Sequence, residues 1–101
     1  MVVYTHATWH VRPGHEAEFE AAWRAMGQAF EAVPGSSPLE GTLLRRRDDP
    51  AVYVSFGPWP DHEAVQRMRD DPRAQAAMAE VMRHCIEADP GSFDVVAVVK
   101  T

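Results

Sequence analysis

Five histidines, three tryptophans and a single cysteine are the side chains best able to do chemistry in this chain of 101 residues. Histidine exchanges protons near neutral pH, so each one is a candidate base. His6 and His10 share one face of a strand, but at ~3.3 Å per residue they stand about 13 Å apart, too far to bind one metal together. His15 and His62 fall where helices begin and read as solvated. His84 is the best placed: it follows Met78 and Val81 by one turn, on the side expected to face a pocket. Its competing reading is an exposed or capping histidine near a helix end. Cys85 recurs at apolar helix spacing, which suits inert core better than a nucleophile, and as the one cysteine it rules out an intramolecular disulfide. No other metal-ligand spacing occurs, and Gly14 stands outside any phosphate-binding pattern. Neither a metal nor another cofactor is expected.

A second group could bind rather than react. Residues 55 to 63 read Ser-Phe-Gly-Pro-Trp-Pro-Asp-His-Glu. Pro58 and Pro60 restrict the backbone on both sides of Trp59, so its indole is aimed where a strand gives way to a helix. Trp9, Tyr53 and Ser55 lie on the strand faces expected to look toward the helices, while Thr5 and Ala7 are small and leave room. Such a lining suits a flat aromatic molecule. Simple core packing is the competing reading. Arg45, Arg46 and Arg47 could hold an anion, but as strand-end charge beside Asp48 and Asp49 they more simply pair locally and discourage edge association.

The elements that must position these residues follow from periodicity. Val2 to Val11 alternate as a strand, with Val3, Thr5, Ala7, Trp9 and Val11 on one side. Arg12-Pro13-Gly14 breaks it. Phe19, Ala22, Trp23, Met26, Phe30 and Val33 then recur at helical steps, with acidic residues in the first turn and a Pro-Gly-Ser-Ser-Pro stop at 34 to 38. Leu39 to Arg47 and Ala51 to Gly57 read as two strands joined by Asp48-Asp49-Pro50. Asp61 to Glu87 is helical but interrupted at Asp70-Asp71-Pro72, where Asp71 can cap a new helix that begins at Pro72. Phe93 to Lys100, with Val95, Val96, Val98 and Val99, reads as the last strand.

The order β-α-β-β-α-β is the ferredoxin-like α+β arrangement: one domain over residues 1–101, with a four-stranded antiparallel sheet and its helices on one face. Helices cover only that face. Val2, Val52, Val54 and Phe56 on one parity, and Val3, Trp9 and Tyr53 on the other, leave neither side polar. Leaving one side bare would expose side chains whose burial is worth roughly 1.5 to 3 kcal/mol each, so a homodimer with sheets packed face to face is expected. The net charge of −5 and the scattered basic residues argue against nucleic acid as a partner. No stretch is apolar enough to span a membrane, and residues 1 to 6 lack the features of a signal peptide, so a cytoplasmic protein is expected.

Trp-His-Val-Arg-Pro-Gly-His-Glu-Ala-Glu-Phe (9 to 19), Pro-Gly (34 and 35), Leu-Leu-Arg (43 to 45) and Val-Ser-Phe-Gly-Pro-Trp-Pro-Asp-His-Glu-Ala-Val (54 to 65) resemble the antibiotic biosynthesis monooxygenase domain family. The resemblance spans nearly the whole chain and implies a dimeric α+β barrel. It includes cofactor-independent oxygenases that turn polyketide phenols into quinones, as well as haem-degrading enzymes. The haem-degrading branch carries an Asn on the first strand and a Trp and a His in the second helical region, and the matching positions here hold Ala7, Met68 and Met78. That disfavours haem degradation and implies instead that these three line a pocket, with Trp59 at its border.

The expected function is therefore a cofactor-free monooxygenase acting on an aromatic phenol, for example one of polyketide type. The substrate would supply the electrons, and the protein would supply orientation, a base such as His84 and support for developing charge. The alternative is a non-catalytic dimeric module that binds a hydrophobic small molecule and needs no base. A third reading is a structural domain with a filled core.

Overall fold

The computed structural model describes residues 2–101. Strand β1 (Val3–Val11) leads into helix α1 (Glu16–Ala32), then strands β2 (Thr42–Arg45) and β3 (Val52–Trp59), helices α2 (His62–Asp70) and α3 (Pro72–Arg83), and strand β4 (Cys85–Asp94). The four strands form one antiparallel sheet in the order β2-β3-β1-β4. This is the expected ferredoxin-like α+β topology.

Local chemistry explains where the elements begin and end. Asp61 caps α2 by accepting from the Ala64 N–H at 2.8 Å, and Asp71 caps α3 by accepting from the Arg73 N–H at 2.8 Å, with Pro72 in the first turn. Helix α1 has no side-chain cap; Glu16 and Glu18 in its first turn complement its positive end. Beyond α1 the chain turns sharply through Gly35, whose φ of +76° lies in the region that favours glycine. The buried Ser36 hydroxyl sits 2.7 Å from the Phe30 carbonyl and 2.9 Å from that of Val33, occupying carbonyls that the helix end leaves over. The β2–β3 turn is closed by the Arg46 N–H, which donates to the Val52 carbonyl at 2.9 Å, and Arg46 and Asp48 pair on its surface at 2.6 Å.

The end of the chain departs from the sequence reading. Helical spacing continues to Glu87, but α3 stops at Arg83 and β4 starts at Cys85, well before the expected Phe93. The reason is pairing: β1 needs a full-length neighbour on its free side, and β4 supplies it from Val3↔Asp94 to Val11↔Cys85, with a register shift between His10 and Val11. The valines expected to form the strand lie past its end, and Val96 is 94% exposed. The hairpin strand β2 is likewise shorter than Leu39 to Arg47.

Burial on the sheet follows the alternation of β1. Val3, Ala7, Trp9 and Val11 are buried, as are Tyr53, Ser55, Gly57 and Trp59 of β3. The core is divided in two. Trp9, Val11, Phe19, Met26, Tyr53, Val81 and Cys85 belong to one cluster, and Val3, Val33, Trp59, Val65, Met68 and Ala74 to the other. Phe30 packs against both.

Candidate active site

The register of β1 against β3 builds the floor of a cavity. Val3 faces Trp59, Thr5 faces Gly57, Ala7 faces Ser55, and Trp9 faces Tyr53. Each tryptophan reaches the hydroxyl on its diagonal neighbour: Trp9 Nε1 donates to Ser55 Oγ at 2.8 Å, and Trp59 Nε1 donates to Thr5 Oγ1 at 2.9 Å. Two indoles are thus locked in place, with the small residues Ala7 and Gly57 between them.

Above this floor lies a cavity of about 920 Å³, at the upper end of the usual range for small-molecule sites. Met26 and Phe30 of α1, Met68 of α2 and Met78 of α3 contribute its apolar side, and the segment before β2 contributes Pro38, Glu40 and Gly41. That segment runs so close to β3 that a Cβ at position 57 would collide with the Glu40 carbonyl, which requires glycine there. The cavity draws walls from both core clusters.

A serine or threonine hydroxyl has one proton and two lone pairs. Because Ser55 and Thr5 each use one lone pair on an indole N–H, each keeps a proton to donate. Two hydroxyl donors anchored by two aromatic plates, among methionine side chains, suit a flat aromatic molecule that carries oxygen substituents.

The structure brings together Ala7, Trp9, Ser55, Trp59, Met68 and Met78 around this one cavity. Tyr53 lies elsewhere. It is only 1% exposed, packs on Phe19 with ring centroids 4.7 Å apart, and donates its hydroxyl to Glu20 Oε2 at 2.7 Å. It lines a separate cleft of about 370 Å³ with Glu20, Trp23, Arg24, Leu43 and Arg45. Burial, followed by the Glu20 carboxylate, pushes the Tyr53 phenol up to about 12.

His84 is also elsewhere. Extending the helical period past Arg83 puts it on the pocket side, but the helix ends there and His84 becomes its C-terminal cap residue, outside the cavity wall. Its Nδ1 lies 3.2 Å from Nδ1 of His15, and its Nε2 lies 3.6 Å from Glu80 Oε1. Cys85 is buried, with its thiol pushed up by that burial against the opposing charge of Arg12, and is the first residue of β4 rather than part of a helix.

Sequence reasoning treated Trp23 as ordinary core. It lines both the cavity and the smaller cleft, and its Nε1 is buried without a hydrogen-bond partner. Arg24 lines both spaces too, and Arg69, which donates to the Ser92 hydroxyl at 2.8 Å, belongs to the cavity wall. Their spacing differs in no way from that of any solvated helix face.

Fold and cavity together define a ferredoxin-like α+β domain with an aromatic-walled cavity between sheet and helices. The chain belongs to the antibiotic biosynthesis monooxygenase family, whose sequence model matches residues 2–80. Its structure is similar to that of SnoaB, a cofactor-independent oxygenase from Streptomyces nogalater. A mutant form of that protein superposes with a TM-score of 0.87 at 26% identity, covering 99% of this chain and 98% of the other. A second SnoaB structure gives 0.80 at 26% identity, over 99% and 97%. Rv0793 from Mycobacterium tuberculosis shares the fold, with a TM-score of 0.79 at 18% identity over 99% and 100%. No curated protein sequence matches the chain. No described helix is long and apolar enough to cross a membrane.

Proposed function

We propose that this protein is a cofactor-independent monooxygenase that oxidises an aromatic phenol of polyketide type to a quinone, working in the cytoplasm. The observation that carries this reading is the cavity of about 920 Å³ walled by Trp9 and Trp59, whose indoles hold the Ser55 and Thr5 hydroxyls as free donors. Similarity to the SnoaB oxygenase supports it. In the reaction, the phenol loses a proton to solvent water, its electron-rich ring carbon adds dioxygen, and the peroxide so formed takes a proton back. The resulting hydroperoxide expels water: one oxygen atom stays as the new carbonyl and the other leaves. The substrate is the reductant, so the protein's task is to hold the ring between the indoles and to stabilise the phenolate oxygen. Ser55 and Thr5 are the donors in position to do so. Met26, Met68 and Met78 fit an apolar ring edge. His84, outside the cavity, has no part in this reading.

The alternative of a non-catalytic binding module draws on one observation: His6, His62, Glu31 and Glu40 of the cavity wall make no described side-chain hydrogen bond that would orient one of them as a base. Aerobic and anaerobic incubation with a panel of anthrones and hydroquinones, followed by quinone absorbance, separates the two. Oxygen-dependent turnover is expected; saturable binding without turnover would leave the module.

The homodimer belongs to the same proposal. On the sheet face away from the helices, Leu44 and Phe93 are exposed, and the C-terminal valines have no cover within the chain. A second copy with its sheet packed on this one is the economical cover. Sedimentation showing a monomer at micromolar concentration would defeat it.

A further inference from the structure

His15 precedes the first turn of α1 and His84 follows the last turn of α3, 69 residues apart in sequence, yet their Nδ1 atoms are 3.2 Å apart. From this juxtaposition we infer that the two rings form a bidentate binding site for a divalent transition-metal ion of the zinc, nickel or copper type. The site is distinct from the aromatic cavity, and it stands whether or not the oxygenase reading does.

The distance suits such an ion. With metal–nitrogen bonds of about 2.0–2.1 Å, two ligands of a tetrahedral ion stand about 3.3 Å apart, so the rings already have the separation that such an ion requires. The tautomers of the two rings agree with such a site. Without a metal, one ring must present Nδ1–H to the other's lone pair. A metal takes both Nδ1 lone pairs and leaves both protons on Nε2. For His84 that nitrogen lies 3.6 Å from Glu80 Oε1, an ion-pair distance rather than a hydrogen bond. A carboxylate on the far nitrogen is the usual outer partner of a metal-bound histidine, and Glu80 is within reach to close that contact when a metal draws the ring in.

Both backbones are held. The Arg12 N–H donates to the His84 carbonyl at 2.8 Å, the His15 N–H to the Arg12 carbonyl at 2.9 Å, and the Phe19 N–H to the His15 carbonyl at 2.8 Å. The cations of this corner are engaged: Arg83 pairs with Glu80 at 2.9 Å, and Arg12 Nε donates to the Arg83 carbonyl at 3.4 Å. Glu16 accepts from the Gly14 N–H. No described group of three or more His, Cys, Asp or Glu residues is placed to hold a metal. Two protein ligands therefore leave the remaining positions to water, which the exposure of His15 permits. Imidazole pairs of this kind favour nickel, copper and zinc over magnesium or calcium.

The test is calorimetric titration of Zn²⁺ and Ni²⁺ into the tag-free, chelator-stripped full chain, with Mg²⁺ as the control. One saturable site per chain and a rise in unfolding temperature are expected for Zn²⁺ and Ni²⁺ and not for Mg²⁺. His15→Gln and His84→Gln should each abolish that site, and Glu80→Gln should weaken it about 10-fold. All three should keep the chelated protein's circular dichroism spectrum. No saturable step in the wild type would overturn the inference. So would an unchanged isotherm in folded His15→Gln, which would assign the binding to the other histidines.

Discussion

Trp9 Nε1 and Ser55 Oγ, 46 residues apart in sequence, form a 2.8 Å hydrogen bond across the diagonal of two neighbouring strands. That bond sets the angle of one cavity wall and leaves the serine proton free. Ser55→Ala should strand the Trp9 N–H in a buried site, at a cost of about 1–3 kcal/mol in denaturant unfolding. It should also lower kcat/KM for any phenol the protein oxidises, because a donor to the phenolate is lost. A variant that unfolds early yet turns over normally would restrict Ser55 to holding the indole.

Trp23 presents the opposite case, because its Nε1 is buried with nothing to bond. Trp23→Phe removes an unsatisfied donor while keeping most of the ring. Its unfolding temperature should equal or exceed that of the wild type, whereas Trp9→Phe should fall below it because the Ser55 bond is lost. A marked loss in Trp23→Phe would show that the indole N–H has a partner in solution.

Tyr53 makes stability depend on alkaline pH. Its phenol is pushed up to about 12, above the ordinary value of 10, by burial first and by Glu20 second. The protonated form is thus favoured in the folded state. Its contribution is fully present below pH 10 and disappears as pH rises through about 12. Unfolding midpoints measured between pH 8 and pH 12 (about the range where the phenol titrates) should fall more steeply for the wild type than for Tyr53→Phe. The variant should lose about 0.5–1.5 kcal/mol at neutral pH through the missing bond to Glu20.

Asp61 closes the Trp59-Pro60-Asp61 turn by capping α2, the helix that carries Met68 into the cavity. Asp61→Ala should cost about 1 kcal/mol in chemical unfolding. Asp61→Asn, which keeps an acceptor, should recover most of it.

Much of this protein follows from spacing along the chain alone. The alternation of β1, the helical period of α1, the Asp71-Pro72 restart and the two prolines flanking Trp59 all act within a few residues. The fold class and six of the cavity residues, Ala7, Trp9, Ser55, Trp59, Met68 and Met78, follow from them and from the family resemblance. The misplaced features depend on partners far away in sequence. Helical periodicity runs on through Cys85 because nothing local marks the stop; only the unpaired edge of β1 requires a strand to begin there. That one displacement carries His84 out of the cavity and against His15, and leaves the C-terminal valines beyond the sheet. Tyr53 shares its strand face with Ser55, yet its ring finds Glu20 on α1, and no rule of alternation could select that carboxylate. Local spacing determined which faces are apolar; the pairing of distant segments decided which polar atoms meet.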